Sequence, residues 1–169
     1  MATQRDQVDE IMTEIPDLDA HEQASKALSF RLRRIADHLE TDLRRELAAF
    51  GIELWEMELL GTLKRAGPPY RLSAGALQER MRLTSGGVTK RVTGLERRGW
   101  VRRDIDRDDR RQILVSLTED GLTRARAVFS AKTQTETNRL SALPLAAQEE
   151  LNDQLRTLLI SLEGPGRQA

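Results

Sequence analysis

Residues 73–118 read SAGALQERMRLTSGGVTKRVTGLERRGWVRRDIDRDDRRQILVSLT, and their pattern predicts a helix, a turn, a second helix and then a two-stranded hairpin. Ser73 can cap the first helix, and either Thr84 or Ser85 can cap the second. Apolar residues of the second helix recur at four- and three-residue spacing, so they form one inward-facing stripe. The residues of this stripe are Val88, Val92 and Leu95.

The hairpin is marked by apolar residues on either side of a charged tip. Gly99 ends the second helix, because glycine tolerates the positive φ that is common at a helix C-terminus. Trp100 and Val101 begin one strand, and residues 113–117 alternate as the other. The tip between the strands contains DRDDRR, which is too charged for a protein core. We therefore expect it to lie against a phosphate backbone or in a minor groove.

The outward face of the second helix is small, polar and basic, as is typical of a helix that lies in the major groove of DNA. Residues 80–103 hold eight basic side chains and one acidic one, a net charge of +7, whereas the whole chain has a net charge of zero. This local excess of positive charge indicates a nucleic-acid-binding face, and the alternative is a solvated, arginine-rich helix. The residues of this face are Ser85, Gly87, Thr89, Lys90, Arg91, Gly94 and Arg98.

Side chains near this face have different predicted roles. Lys90 and Arg91 are candidates for contacts with base edges or phosphates, because arginine to guanine is the commonest specific contact. Gly86 and Gly87 either let the backbone approach DNA closely or only ease the turn, and both interpretations stay open. The short donors suited to phosphates near the helix N-terminus are Thr84, Ser85 and Thr89.

The segment LTSGGVTKRVTGLERRGWVRRDIDRDDRRQILVSLTEDG resembles the MarR family of winged helix–turn–helix regulators, most specifically in DRDDRRQILVSLTEDG. The resemblance extends over residues 25–162 and implies a homodimer, built from N- and C-terminal helices, that binds double-stranded DNA. In the wing, it implies a minor-groove arginine at Arg111 that is oriented by Asp109. Arg107 and Arg110 would add attraction to phosphates.

Within that family, ELWEMELLGTLKRAGPPYRLSAGAL together with VTKRVTGLERRGWVRR is similar to the PecS-like branch, which includes urate-responsive repressors. The similarity implies an anionic ligand that is held or sensed by Glu58, Arg91 and Arg103. The branch usually has aspartate where Glu58 stands and a tryptophan in an N-terminal helix, which residues 1–30 lack. The ligand can therefore be a different aromatic or carboxylate anion. The alternative is that these charged residues form only a structural ion pair. Trp55 either lines this pocket or belongs to the core.

Helices are predicted on both sides of the hairpin module. A helix that begins near Glu53 turns its apolar side inward, and residues 70–72 form a first strand that pairs with the hairpin. Asp19 caps a long helix over residues 20–49, which has one narrow apolar stripe. The inward residues of the helix near Glu53 are Leu54, Met57, Leu60 and Leu63, and the stripe of the long helix is Leu28, Leu32, Ile35, Leu39, Leu43 and Leu47.

A narrow apolar stripe on a long helix needs a partner. A homodimer across a twofold axis would provide one, and an antiparallel bundle within one chain is the alternative. The predicted fold class is mainly α with a small β-hairpin wing. The predicted segments are an N-terminal extension (1–19), helical dimerisation regions (20–50 and 119–163), a winged helix–turn–helix DNA-binding domain (51–118) and a tail (164–169).

The composition argues against several classes of protein. The chain has no cysteine, which excludes disulfides, thiolate-ligated zinc and cysteine catalysis. His21 and His38 have no ligand spacing around them, and we find no phosphate loop or nucleophile elbow, so we expect no metal, cofactor or enzyme activity. No apolar run approaches the roughly 20 residues of a membrane span, so we expect a cytoplasmic protein without a membrane partner.

These observations predict a sequence-specific DNA-binding transcription regulator, most simply a repressor. The family resemblance implies that a small anionic or aromatic ligand releases it. The alternative is a ligand-independent or non-specific architectural DNA-binding protein. High net charge would mark such a protein, and this chain is neutral overall.

Overall fold

A computed structural model of the protein describes residues 4–164, so the ends of the predicted extension and tail, 1–3 and 165–169, lie outside the described residues. The described chain is mainly helical with one small antiparallel sheet, which confirms the predicted fold class. None of its helices is both long and apolar enough to cross a membrane. The elements in chain order are α1 (Gln7–Thr13), α2 (Ala20–Ala49), α3 (Leu54–Arg65), β1 (Arg71–Ser73), α4 (Ala74–Met81), α5 (Ser85–Arg97), β2 (Val101–Ile105), β3 (Ile113–Leu117), α6 (Glu119–Leu140) and α7 (Leu145–Glu163).

Polar side chains at the helix starts explain where the helices begin. Asp19 Oδ1 accepts a hydrogen bond from the backbone N–H of Glu22 at 2.8 Å, so the predicted cap of α2 is confirmed. Ser73 Oγ accepts from the backbone N–H of Ala76 at 3.1 Å and caps α4, also as predicted. A cap of this kind stabilises a helix by roughly 0.5–2 kcal/mol relative to alanine. The local sequence therefore determines where α2 and α4 begin.

The short helix α1 packs on α2 through one apolar residue and one arginine. Val8 is buried. Arg31 Nε donates to Asp6 Oδ2 at 2.9 Å, and Arg31 Nη2 donates to Asp9 Oδ1 at 2.6 Å. The hydrogen bond from Arg31 is the largest cause that lowers the pKa of Asp6 from 3.8 to about 2. Asp6 therefore stays ionised down to about pH 2, and the ion pairs help to hold α1 in place.

The apolar stripe of α2 is only partly covered in the single chain. Leu47, near the C-terminal end of the helix, is buried. Leu28 and Ile35 are each 51% exposed, and Leu39 is 37% exposed. Isolated apolar residues on a surface are ordinary, whereas these three lie in a row along one face of the helix.

The core of the winged helix–turn–helix module lies between α3, α4, α5 and the sheet. Leu59, which the sequence pattern did not single out, is fully buried in α3. Leu54 was predicted to face inward, and that prediction was wrong because its side chain is 46% exposed. Leu54 lies one helical turn before the exposed Glu58, so the two share the outward face of α3. The main buried residues of the module are Leu59, Leu60, Leu63, Leu77, Val88, Val92, Leu95, Val101 and Val115.

The sheet has the strand order β1-β3-β2, and both pairings are antiparallel. Arg71 pairs with Ser116, which confirms the prediction that a short first strand joins the hairpin. At the other end of the hairpin, Ile105 pairs with Ile113, and both side chains are exposed. The outer part of the hairpin therefore projects beyond the core as a wing.

The contacts of the described residues divide into two compact units, with the boundary between Val128 and Phe129. The first unit holds α1 to β3 and the start of α6. The second holds the rest of α6 and all of α7. The winged helix–turn–helix module lies wholly within the first unit.

Candidate nucleic-acid interface

The first turn of α5 is held by Thr84. Its Oγ1 accepts from the backbone N–H of Gly87 at 3.2 Å, so Thr84 rather than Ser85 is the N-cap. A Cβ added at Gly87 would lie 3.3 Å from that same oxygen, which is a tight contact. A Cβ at Gly86 would meet no atom within 4 Å. Glycine at position 87 therefore serves the cap, whereas the protein's own packing does not require glycine at position 86.

Helix α5 buries one face and exposes the other. The predicted stripe is confirmed, because Val88, Val92 and Leu95 are between 0% and 3% exposed. The residues that start the exposed face are polar or basic, and each projects into solvent. The positive end of the helix dipole adds to the charge of Lys90 there, which favours contact with phosphates. These exposed residues are Ser85, Thr89 and Lys90.

Arg91 and Glu58, two of the predicted ligand-binding residues, form an ion pair. Arg91 Nη1 lies 3.1 Å from Glu58 Oε2. The two side chains are 28% and 48% exposed, respectively. Water screens such a pair, so it stabilises the fold by at most about 1 kcal/mol. Because the pair is weak, Arg91 can leave Glu58 for another anion.

Arg103, the third predicted ligand-binding residue, lies along α5 and does not join this pair. Arg103 Nη2 donates to the carbonyl oxygen of Thr89 at 3.1 Å and to Thr93 Oγ1 at 2.6 Å. Arg103 Nη1 lies 3.4 Å from Glu96 Oε2. Arg103 thus holds β2 against α5. Any effect that it has on the exposed face of α5 is through the position of the helix.

Trp55 packs on the backbone of α5 and lines a groove. A Cβ at Gly94 would lie 2.9 Å from Trp55 Cη2, so only glycine lets the indole approach this closely. The groove has a volume of about 640 Å³, and its lining also includes Lys90, Arg91 and Arg97. An indole beside three cations provides a flat apolar surface and positive charge together. Such a surface suits a planar anion.

The wing carries three exposed arginines, and Asp109 organises the turn that presents them. Asp109 Oδ1 accepts from the backbone N–H of Arg111 at 3.0 Å, and Oδ2 accepts from Gln112 Nε2 at 3.1 Å. The aspartate therefore orients Arg111 through the backbone. Arg107 and Arg110 are also exposed, so all three guanidinium groups can meet a phosphate backbone or a minor groove.

Arg98 was predicted on the outward face of α5, and the structure corrects that prediction. It is the C-terminal cap of the helix, and its guanidinium turns back to the carboxylate of Glu56 on α3. The guanidinium also lies over the ring of Trp100. Helical spacing places Arg98 on a face but cannot reveal a partner 42 residues away. The sequence patterns did not indicate that Glu56 and Trp100 would contact the guanidinium of Arg98.

A capped helix with an exposed basic face, followed by a basic wing, defines a DNA-binding protein of the winged helix–turn–helix class. Among the residues that the structure describes, no group of three or more His, Cys, Asp or Glu side chains could hold a metal ion.

Comparisons with known proteins place the chain within that class. A family model described as MarR family matches residues 50–112. The organic hydroperoxide resistance transcriptional regulator of Bacillus subtilis (strain 168) is 30% identical over 140 residues, which are 82% of this chain and 84% of that protein. The chain belongs to the MarR family of transcription regulators, as the sequence resemblance predicted.

Two more similarities concern the PecS-like branch of the family and the fold. The HTH-type transcriptional regulator PecS of Dickeya dadantii (strain 3937) is 28% identical over 158 residues, covering 94% of this chain and 91% of that protein. A mutant of MepR from S. aureus, bound to an oligodeoxyribonucleotide, superposes with a TM-score of 0.60 at 23% identity. That superposition covers 80% of this chain and 98% of the MepR chain. The second similarity shows a shared fold.

Proposed function

We propose that the protein is a cytoplasmic transcription repressor that binds a pseudo-palindromic operator as a homodimer and is released by a small anionic or aromatic ligand. The observation that carries this proposal is the exposed, basic start of α5 beside an exposed, basic wing. Residues 51–118 would form the DNA-binding domain, and residues 20–50 and 119–163 would form the dimerisation regions.

The DNA contacts follow from which side chains are exposed. Thr89 and Lys90 would face the major groove, with Thr84 and Ser85 near phosphates at the start of α5. Arg111 would enter the minor groove, where a narrow, AT-rich segment attracts arginine most strongly. A MepR mutant with the same fold is bound to an oligodeoxyribonucleotide, which supports binding to DNA but not the individual contacts.

The proposed homodimer would cover apolar surface that a single chain exposes. In the first compact unit, α2 exposes Leu28 and Ile35. In the second unit, taken by itself, α7 exposes Leu145, Leu159 and Leu162, which are 70%, 53% and 73% exposed. A twofold dimer would also present two α5 helices about one DNA turn apart, roughly 34–36 Å, as a pseudo-palindrome requires.

The proposed ligand would compete with DNA for the same cations. Lys90 and Arg91 line the groove beside Trp55, and both belong to the predicted DNA-binding face. A planar anion in the groove would draw Arg91 away from Glu58 and neutralise charge that DNA needs. The ligand would then bind the DNA-free state more tightly, which is the thermodynamic condition for release. Arg103 would act indirectly, by holding α5 against β2.

Footprinting with a spacer series tests the DNA-binding part of the proposal. DNase footprinting on the protein's own upstream region should protect one site with two related half-sites. Inserting about 5 bp between the half-sites rotates one by half a turn, and this should abolish the footprint, whereas inserting about 10 bp should restore part of it. Uniform protection of all DNA, indifferent to the insertions, would favour a non-specific architectural protein instead.

Tryptophan fluorescence tests the ligand site. Titration with benzoate or urate should quench emission, because Trp55 lines the groove and a bound planar anion would lie against it. Glu58→Gln releases Arg91 from its ion pair, so it should tighten binding of the anion. A mutation that leaves the groove unchanged, Arg65→Lys, is the matched control. Quenching that is the same for native protein and for Lys90→Gln combined with Arg91→Gln would contradict this site.

A further inference from the structure

The guanidinium of Arg98 ties the end of α5 to the start of α3. Arg98 Nη1 donates to both carboxylate oxygens of Glu56, at 2.8 and 2.6 Å, and Nη2 donates to the carbonyl oxygen of Gly51 at 2.7 Å. The Glu56 side chain is only 4% exposed. Glu56 Oε2 also accepts from the backbone N–H of Glu53 at 2.8 Å, which fixes the first turn of α3. One buried carboxylate thus joins the corner between α2 and α3 to the end of α5.

The ring of Trp100 lies against two guanidinium groups and extends this connection. The ring centroid is 4.0 Å from Arg98 Cζ and 5.1 Å from Arg124 Cζ, on the first part of α6. Trp100 itself is buried. Arg124 Nη1 donates to the carbonyl oxygen of Phe50 at 3.1 Å. Cation–π attraction and hydrogen bonds therefore link the end of α2, the end of α5 and the start of α6.

Hydrogen bonds from Thr118 hold the backbone that follows α5. Thr118 Oγ1 donates to the carbonyl oxygen of Gly99 at 2.7 Å, and the Thr118 N–H donates to the carbonyl oxygen of Trp100 at 3.1 Å. A Cβ added at Gly121 would lie 2.8 Å from the carbonyl carbon of Trp100 and closer still to its oxygen. The first turn of α6 is therefore in direct contact with the segment that follows α5.

We propose that Arg98 is a positioning residue for operator recognition, which sets the angle of α5 against the ends of α2 and α6 through Glu56 and Trp100. This proposal rests on the proposed function. The charge of Arg98 is paired with the buried carboxylate of Glu56, so Arg98 contributes little to the attraction of phosphates. Lysine cannot replace it, because a compact ammonium reproduces neither the planar stack on Trp100 nor the simultaneous bonds to Glu56 and Gly51.

Equilibrium binding to the operator and to a scrambled duplex, over a salt series, tests this role. R98K keeps the positive charge and so leaves the attraction to phosphates unchanged. E56Q removes the carboxylate that pairs with Arg98, which can only raise that attraction. A loss of operator affinity in either variant is therefore not a loss of positive charge. We expect each to weaken operator binding by about tenfold. For R98K, affinity for the scrambled duplex and the salt dependence should stay as in the native protein, and for E56Q the affinity for the scrambled duplex should not fall. The double variant should be no weaker than either single one, because both substitutions break the same contact. Arg65→Lys, the control, should match the native protein.

Three results would overturn the proposal, and each has a different meaning. If R98K binds the operator like the native protein while R98Q lowers the salt slope by about one, Arg98 contacts a phosphate. If R98K and E56Q weaken both duplexes alike, in proportion to the unfolded fraction seen in thermal unfolding, the contact is only structural. If the native protein itself binds both duplexes equally, the proposed function fails and this proposal fails with it.

Discussion

Replacing Gly121 with alanine sets helix propensity against packing at the start of α6. Alanine is favoured over glycine inside a helix by roughly 1 kcal/mol. In this structure, however, a Cβ at position 121 would lie 2.8 Å from the carbonyl carbon of Trp100 and closer still to its oxygen. Both atoms belong to the backbone, so no side-chain rotation relieves the contact. Either α6 or the segment around Trp100 has to move.

The structure sets the magnitude of the effect. Forcing extra volume into a packed site costs about 1–3 kcal/mol. The movement also weakens the hydrogen bond from the Thr118 N–H to the carbonyl oxygen of Trp100, at 3.1 Å, and such a bond contributes about 1 kcal/mol. After the gain in helix propensity is subtracted, the free energy of unfolding should fall by about 2 kcal/mol. The melting temperature should fall by about 4–8 °C.

Urea and thermal unfolding, followed by far-UV circular dichroism, would measure this change. Gly75→Ala in α4 is the matched control, because a Cβ there would meet only Ser73 Oγ, at 3.9 Å. That control should be as stable as the native protein or slightly more stable. If Gly121→Ala were as stable as Gly75→Ala, the close approach of α6 to Trp100 would have no energetic consequence, contrary to this prediction.

Three further predictions concern the DNA-binding face and the N-terminal helix. Lys90→Gln should weaken binding to all duplexes by a similar factor and reduce the salt slope by about one, as measured by anisotropy over a salt series. Arg111→Ala should weaken operator binding by about 1–3 kcal/mol, and replacing AT pairs beneath the wing with GC pairs should weaken the native protein but not this variant. The pKa of Asp6 is lowered from 3.8 to about 2, so its contribution to docking of α1 is complete above pH 3.8 and is lost as the pH falls towards 2. The NMR signals of Val8 should report this undocking, and in Asp6→Asn these signals should no longer depend on pH over this range. A native protein whose Val8 signals do not change between pH 3.8 and 2 would contradict the role of the ion pair.

Features that depend on neighbouring residues could be predicted from the sequence. Asp19, Ser73 and Thr84 each cap a helix through a backbone N–H three residues further on. A local pattern is therefore enough to find Asp19 and Ser73 and to narrow the third cap to Thr84 or Ser85. The buried stripe of α5 follows from its spacing in the same way. The wing could be placed because six charged residues in a row cannot enter a core.

Features that depend on distant residues could not be predicted in this way. Arg98 has the spacing of an outward residue, yet its partner, Glu56, lies 42 positions earlier in the chain. Gly121 looks like a weak position in a helix until the backbone of Trp100 is placed beside it. Leu54 is apolar but lies on the outward face of α3 with Glu58, whereas its near neighbours Glu56 and Met57 are buried. Each case is decided by tertiary packing.

We expect the exposed face of α5 and the wing to read a specific DNA sequence. Fluorescence anisotropy of the purified protein with duplexes from its own upstream region, compared with scrambled duplexes over a salt series, tests it most directly. We expect the specific duplex to bind about a thousandfold or more tighter, with two protomers per duplex and strong weakening as salt rises. Equal and weak binding to every duplex would contradict the claim.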